Sequence, residues 1–278
     1  MPNFEHVRIS LAKWDETPLF LGTPGELSAR PRADVLREVF GEQRDFVHRA
    51  RLITFLPVDS PDGFAAGYFG REIRIHGHTK KESRFEPEDI DTYDLAFFAV
   101  DLDADKQTAV VQQNGRVGDP RALLESFFAS QPVRGIARDY QIHVKHLSSE
   151  RGYYEAAKEY KGEITKVIFT FIPPNALKSE EKIWAFIEEA SREAGSESLR
   201  HEYDSPHGNL DPTADLLAGS EKVAAAGGGE TIMRSGRKTI FNSVSHKIKT
   251  YVSSMDMPES WNKLQIESFI NYLFHKKK

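Results

Sequence analysis

Residues 224–243, AAAGGGETIMRSGRKTIFNS, decide how the second half of this chain is built. Three glycines followed by basic residues have two readings: a phosphate cradle, or the end of one element and the start of the next. A phosphate loop requires a strand, then glycines, then the N-terminus of a helix, so that N–H groups and the helix dipole face the anion. Here the order is reversed. Ala224–Ala226 close the helical stretch DPTADLLAGSEKVAAAG, and Gly227–Gly229 lead into a β segment. Glycine just past a helix takes the left-handed conformation without a Cβ penalty. No Lys-Ser or Lys-Thr pair follows at P-loop spacing. The stretch reads as a helix stop followed by a hairpin, MRSGRK, with Ser235 and Gly236 as its turn.

The neighbouring segments extend that pattern. EITKVIFTFIPPN is an apolar strand halted by Pro173 and Pro174, because proline removes a ladder donor. Ser179 caps a helix with Glu180 and Glu181 at its positive end, and Ile183, Phe186, Ile187 and Ala190 form its apolar face. SLRHEYDS is a strand, HKIKTYVSS is another, and a last helix carries Ile266, Phe269, Ile270 and Leu273 at core spacing.

The first half begins with FEHVRISLAKW, where Glu5, Val7, Ile9 and Leu11 alternate with Phe4, His6, Arg8 and Ser10, the period of a half-buried strand. A Pro/Gly-rich loop ends at Pro31, suited to a helix start. Val35, Leu36, Val39 and Phe40 then recur at helical spacing, continuing to Phe46 and Val47. RLITFLPV and GFAAGYFGREIRIHG are strand-like, and DLAFFAVDLDADKQTAVVQQN reads as a hairpin turning near Asp103, Ala104 and Asp105. Asp119 and Pro120 open a helix carrying Leu123, Leu124, Phe127 and Phe128. YQIHVKHL is a strand and ERGYYEAAKEY a helix, followed by a polar joint at Lys161 and Gly162.

The expected fold is therefore α+β: two α/β-sandwich units with mainly antiparallel sheets, residues 1–162 and 163–278, the second in the order β-α-β-α-β-β-α. The 278 residues include 39% hydrophobic ones, enough for sizeable cores. Absence of cysteine excludes disulfides, thiolate metal sites and a cysteine nucleophile. No apolar run reaches membrane-span length and MPNFEHVRIS lacks an export pattern, so a cytoplasmic location without membrane contact is expected.

Charge is unevenly spread. Residues 230–278 hold nine Lys or Arg against four acids, +5 within a chain of net −5, which leaves −10 for residues 1–229. Such asymmetry points to a polyanionic partner. Arg234, Arg237 and Lys238 at the hairpin tip, with Lys247 and Lys249 on the adjoining segment, form a basic ribbon suited to nucleic-acid phosphates. A solvated hairpin is the competing reading. Arg71, Arg74, His76 and Lys80 in REIRIHGHTKKESR would extend that surface, with Arg74, His76 and His78 on one strand face and Ile73 and Ile75 on the other.

Catalytic signals are sparse. His76 and His78 lack an identifiable third metal ligand, so no metal is expected. DLDADKQ departs from a calcium loop at Lys106 and Gln112, although Asp101 and Asp103 beside a lysine also resemble part of a magnesium nuclease site. His201 and His207 in RHEYDSPHGNLD, with Tyr203, Asp204 and Asp211 nearby, have the residue types for metal-free RNA cleavage, or simply form a turn-rich connection. Whether the chain is an enzyme stays open, its catalytic residues are unknown, and no cofactor motif is present.

GREIRIHG, FFAVDLDADKQTAVVQQNGRVGDP, ITKVIFTFIPPN and AAAGGGETIMRSGRKTIFNS in succession resemble a poorly characterised family of bacterial proteins of similar length, found among mobile-element and antiviral-defence genes. The resemblance runs from about Gly67 onward and carries no site residues. It implies an antiviral-defence or toxin-like protein that contacts nucleic acid through the basic hairpin, with RNA cleavage as an open step. The alternative is a non-catalytic adaptor or sensor for a protein partner, with GYFG and NYLFH as aromatic anchors. Self-association is left open.

Overall fold

The first strand, Asn3–Lys13 (β1), is buried along nearly its whole length, polar residues included. The half-buried pattern expected for it fails because β1 is a central strand covered on both faces. The computed structural model describes residues 1–13, 30–103, 106–172, 183, 185, 187, 189, 196, 198–253, 256–258 and 262–275. The expected loop before Pro31, the Pro173–Pro174 stop, the Ser179 cap, Phe186 and Ala190 lie outside the described residues.

After β1 come helix α1 (Arg32–Val39) and strands β2 (Arg44–His48), β3 (Arg51–Val58), β4 (Phe64–Lys81), β5 (Arg84–Asp101) and β6 (Thr108–Gln112). Helices α2 (Pro120–Ala129) and α3 (Gln131–Ile136), strand β7 (Tyr140–His146) and helix α4 (Glu150–Glu159) follow. The second half supplies β8 (Lys166–Phe171), β9 (Leu199–Asp204), α5 (Asp215–Val223), β10 (Gly229–Ser235), β11 (Lys238–Asn242), β12 (Lys249–Tyr251) and α6 (Lys263–His275).

The architecture is mixed α+β, and the strands among the described residues pair antiparallel, beside one isolated parallel bridge between Ile164 and Asn209. Eight strands form a curled sheet in the order β12-β1-β6-β5-β4-β3-β2, and β7 shares with β12 the second edge of β1. Four strands form a second sheet, β11-β10-β8-β9. Phe46 and Val47 belong to β2 and do not continue α1, which stops at Val39. Phe46 still points inward while Val47 is exposed, as strand alternation requires.

One face of the large sheet packs on α1–α3. Phe40, Phe46, Phe55, Phe69, Phe98 and Phe127 meet there, with Phe40 stacked on Phe127 at 5.2 Å. Each buried aromatic removes enough apolar surface to stabilise the fold by roughly 2–3 kcal/mol. On the other face α6 seals Phe4, Phe97 and Ala99 under Ile266, Phe269, Ile270 and Leu273. The second sheet has its own core, in which Tyr153 and Ala157 of α4 and Val223 of α5 pack on Val167, Phe169 and Met233. Ile187, a helical residue, is buried there too.

The chain thus crosses between the sheets more than once. A cut at 162/163 separates most of the strands, but α4 lies in the second core while β12 and α6 return to the first sheet. The C-terminal order expected from sequence therefore ends at β11; its last strand and helix serve the other sheet.

Gly227 is the helix stop that the opening stretch implies. Helix α5 widens into one π turn, Ala224–Gly228, and Gly227 takes φ +84°. A Cβ there would lie 2.6 Å from the Arg8 Cβ, so glycine also permits close approach to β1. The hairpin that follows turns on Gly236 and Arg237, one residue later than Ser235 and Gly236, with Gly236 at φ +56° and Ser235 paired to Lys238.

Candidate functional site

The longest strands among the described residues form a two-stranded arm. Strands β4 and β5 pair from Phe64↔Asp101 to Lys81↔Arg84, 18 residues each. Strand β3 accompanies β4 only to Gly70, and β6 accompanies β5 only from Phe98. Among the described residues no further strand accompanies 71–81 and 84–94, which run on for roughly 35 Å at 3.3 Å per residue. The arm base is braced by the loop after β6, where Asn114 donates to the Leu95 carbonyl at 3.0 Å and Arg71 donates to the Arg116 carbonyl at 2.8 Å.

Along the arm, Arg74 donates to Asp91 at 2.9 Å and His76 contacts Asp89 at 2.5 Å. These directly opposed pairs contribute about 0.2–1 kcal/mol each. Between and beyond them apolar side chains face water: Phe85 is 72% exposed, and Ile90 and Tyr93 are 53% each. Ile75 opposes Ile90 on one face, and Tyr93 continues on the other toward Leu95. Helix α6 covers the outer face of the sheet only in part, and beyond it Val47, Leu52, Leu56 and Leu95 are exposed. Leu52, Leu56, Tyr68, Tyr93 and Leu95 line a groove of about 730 Å³ at the root of the arm, whose charged members are the acids Asp45 and Glu72.

The residues expected to form a basic surface fall in three places. Arg71, Arg74, His76 and Lys80 lie on the arm, the first turned to a carbonyl and the next two faced by acids. Arg234, Arg237 and Lys238 lie at the β10–β11 turn, where Lys238 donates to the Tyr160 hydroxyl at 3.1 Å and sits 5.0 Å from its ring centroid. Lys247 and Lys249 converge on the buried carboxylate of Glu5, at 3.2 and 3.6 Å. Acids from the first half of the chain thus fold against the C-terminal excess of cations. This pairing is invisible in a running charge count, because Glu5 and Lys247 stand 242 positions apart.

That buried polar centre joins the two sheets. Glu230 of β10 meets Lys145 at 2.8 Å and Arg121 at 3.0 Å. Burial alone would raise its carboxyl, but the two cations hold it below the usual range. Asp119 caps α2 by accepting from the Ala122 N–H at 3.0 Å, which with Lys247 lowers its pKa despite burial. His146 lies beside Glu5 at 3.6 Å, yet burial and then Lys247 and Arg121 depress it to about 4, so its ring is neutral at pH 7. Two lysines therefore balance Glu5.

The other candidates do not converge. Lys106 lies 3.4 Å from Asp101 and 3.2 Å from Asp103, so a single cation bridges the two acids. His201 packs edge-on to Phe171 within β9, while His207 lies in the following turn and Asp211 accepts from Thr213. No group of three His, Asp or Glu able to hold a metal occurs among the described residues. No helix among them is long and apolar enough to cross a membrane. No protein-family model matches the chain, and neither a curated protein nor a solved structure shows significant similarity to it.

Proposed function

We propose that this chain is a non-catalytic interaction protein that grips a partner protein with the β4–β5 arm and the groove at its root. The observation that carries this reading is the exposure of Phe85, Ile90 and Tyr93 on a ribbon with no third strand among the described residues. A hairpin alone is marginal in water, and exposed apolar area on a projecting element is normally covered by a partner. Its free edges also offer main-chain hydrogen bonds for strand addition. Contact with nucleic acid is the weaker reading, since five of the nine expected contact residues are already engaged by carboxylates or a carbonyl. The resemblance noted above supports a setting in bacterial antiviral defence.

The experiment compares the intact chain with a Phe85→Ser/Ile90→Thr/Tyr93→Ser variant by light scattering and by capture from its own host's extract. The expected result is a homotypic or stoichiometric protein complex that the triple variant loses while keeping its melting temperature. A chain that stays monomeric, captures no protein, and carries nucleic acid released by Arg234→Glu/Arg237→Glu/Lys238→Glu overturns the proposal.

A further inference from the structure

We propose that the partner gripped by the arm is a second copy of this chain, with the two arms face to face and antiparallel about a two-fold axis. The inference rests on the function proposed above and names the occupant of that same surface. Alternation along the unbroken β4–β5 register places Lys80 and Phe85 on the face that also carries Glu72, Tyr93 and Leu95. The groove at the arm's root opens on this face, walled by Leu52, Leu56, Tyr93 and Leu95, with Asp45 and Glu72 as its charged members.

The two ends of this face complement each other. At the tip Lys80 stands directly opposite Phe85, and at the root Glu72 stands directly opposite Tyr93. Each cross-strand pair joins one charge to one aromatic ring, and the two charges are of opposite sign. Both pairs lie four positions from His76↔Asp89, one toward the tip and the other toward the root. A two-fold axis crossing the ribbon at His76 and Asp89 therefore lays Lys80 over Glu72 of the second copy and Phe85 over its Tyr93. Each contact is made twice, as an isologous interface requires.

The groups concerned face water. Phe85 and Tyr93 are exposed, as are Lys80 and Glu72. Among the described residues neither Lys80 nor Glu72 lies within salt-bridge distance of an opposite charge, and Arg74, two positions from Glu72, is bonded to Asp91. Phe85 would enter a groove of about 730 Å³ whose leucines are themselves exposed, so both apolar surfaces leave water together. Joining two β5 edges is disfavoured by comparison. Pro87 has no N–H to give, and the acids Glu86, Glu88, Asp89, Asp91 and Asp94 would be brought against a second acidic strand.

The test follows the full chain by sedimentation velocity from about 1 to 100 μM, where a dimer with a dissociation constant in that range is expected. Lys80→Glu and Glu72→Lys each set two like-charged pairs against one another and should each weaken the dimer by about tenfold. The double variant Lys80→Glu/Glu72→Lys restores both pairs in the reversed sense and should recover the parent affinity, a rescue that a folding defect would not give. Phe85→Ser should weaken the dimer by about tenfold or more, as loss of an aromatic anchor. Single charge variants that dimerise like the parent, or a double variant no tighter than the singles, overturn the inference. A parent that stays monomeric but captures a different protein through Phe85 and Tyr93 overturns the second copy and leaves the proposed function standing. A monomer that captures no protein overturns both.

Discussion

Glu5 and Lys247 lie 3.2 Å apart inside the molecule, with Lys249 at 3.6 Å from the other oxygen of the same carboxylate. The carboxylate is 1% exposed, so the attraction acts in a medium far less screening than water. It ties the first strand to the segment that returns from the second sheet. Glu5→Gln leaves Lys249 without this carboxylate and Lys247 with Asp119 alone at 3.8 Å, and should cost about 3 kcal/mol, the lower end for breaking a buried pair, because both lysines keep some exposure. Urea unfolding should show a lower midpoint at unchanged slope. A loss below about 1 kcal/mol would mean that the lysines reach solvent freely, at the worth of a surface pair.

His146 predicts the acid limb of stability. Burial, with Lys247 and Arg121 nearby, lowers its folded pKa to about 4, against about 6.5 in the unfolded chain. Between these values the unfolded chain binds more protons, so stability is fully present above pH 6.5 and is lost as pH falls toward 4. His146→Gln should flatten this limb. Melting temperatures measured at intervals from pH 7 to 4 decide it, and an unchanged slope in the variant would assign the limb to other groups.

Much of the fold was legible because its signals are local. The Gly227 stop, the Asp119 cap and the Ile266–Leu273 face each depend on a few adjacent residues and appear where the spacing places them. The arm was not legible beyond its first residues. The strand signal in REIRIHGHTKKESR does not reach the partner strand, because the matching of Arg74 to Asp91 and of His76 to Asp89 across the ribbon needs the register. Buried His6, Arg8 and Ser10 likewise gave β1 the alternation of a half-exposed strand, since a polar residue held in the interior looks like one facing water. Four members of the candidate basic surface, Arg74, His76, Lys247 and Lys249, face carboxylates for the same reason: those acids are distant in sequence.

Glu221 predicts the alkaline side. It lies on α5 at 0% exposure, and burial, with Glu150 adding to it and the Thr231 hydroxyl offsetting only part, raises its carboxyl from 4.5 to about 8. Between pH 4.5 and 8 the folded chain holds the proton that the unfolded chain releases, so stability declines as pH rises through this window. Glu221→Gln keeps the shape without the ionisation. It should remove that decline and be the more stable protein at pH 8–9, read by urea unfolding at pH 5 and pH 9. Parallel curves for the two proteins would place the decline elsewhere.

Gly227 and Gly236 provide a matched pair for separating backbone strain from contact. Both hold positive φ, +84° and +56°, which costs an L-residue about 1–2 kcal/mol. Around Gly236 no atom lies within 4 Å of a built Cβ, whereas at Gly227 that Cβ would stand 2.6 Å from the Arg8 Cβ on the central strand. Gly236→Ala should therefore lose only the conformational cost, about 1 kcal/mol. Gly227→Ala must also push the π turn away from β1, and the sum should reach about 3 kcal/mol once overpacking is added. Equal losses in the two variants, measured by urea unfolding at pH 7, would show that the turn and β1 can separate without cost. A larger loss at Gly227 ties the helix stop to the packing of the two sheets.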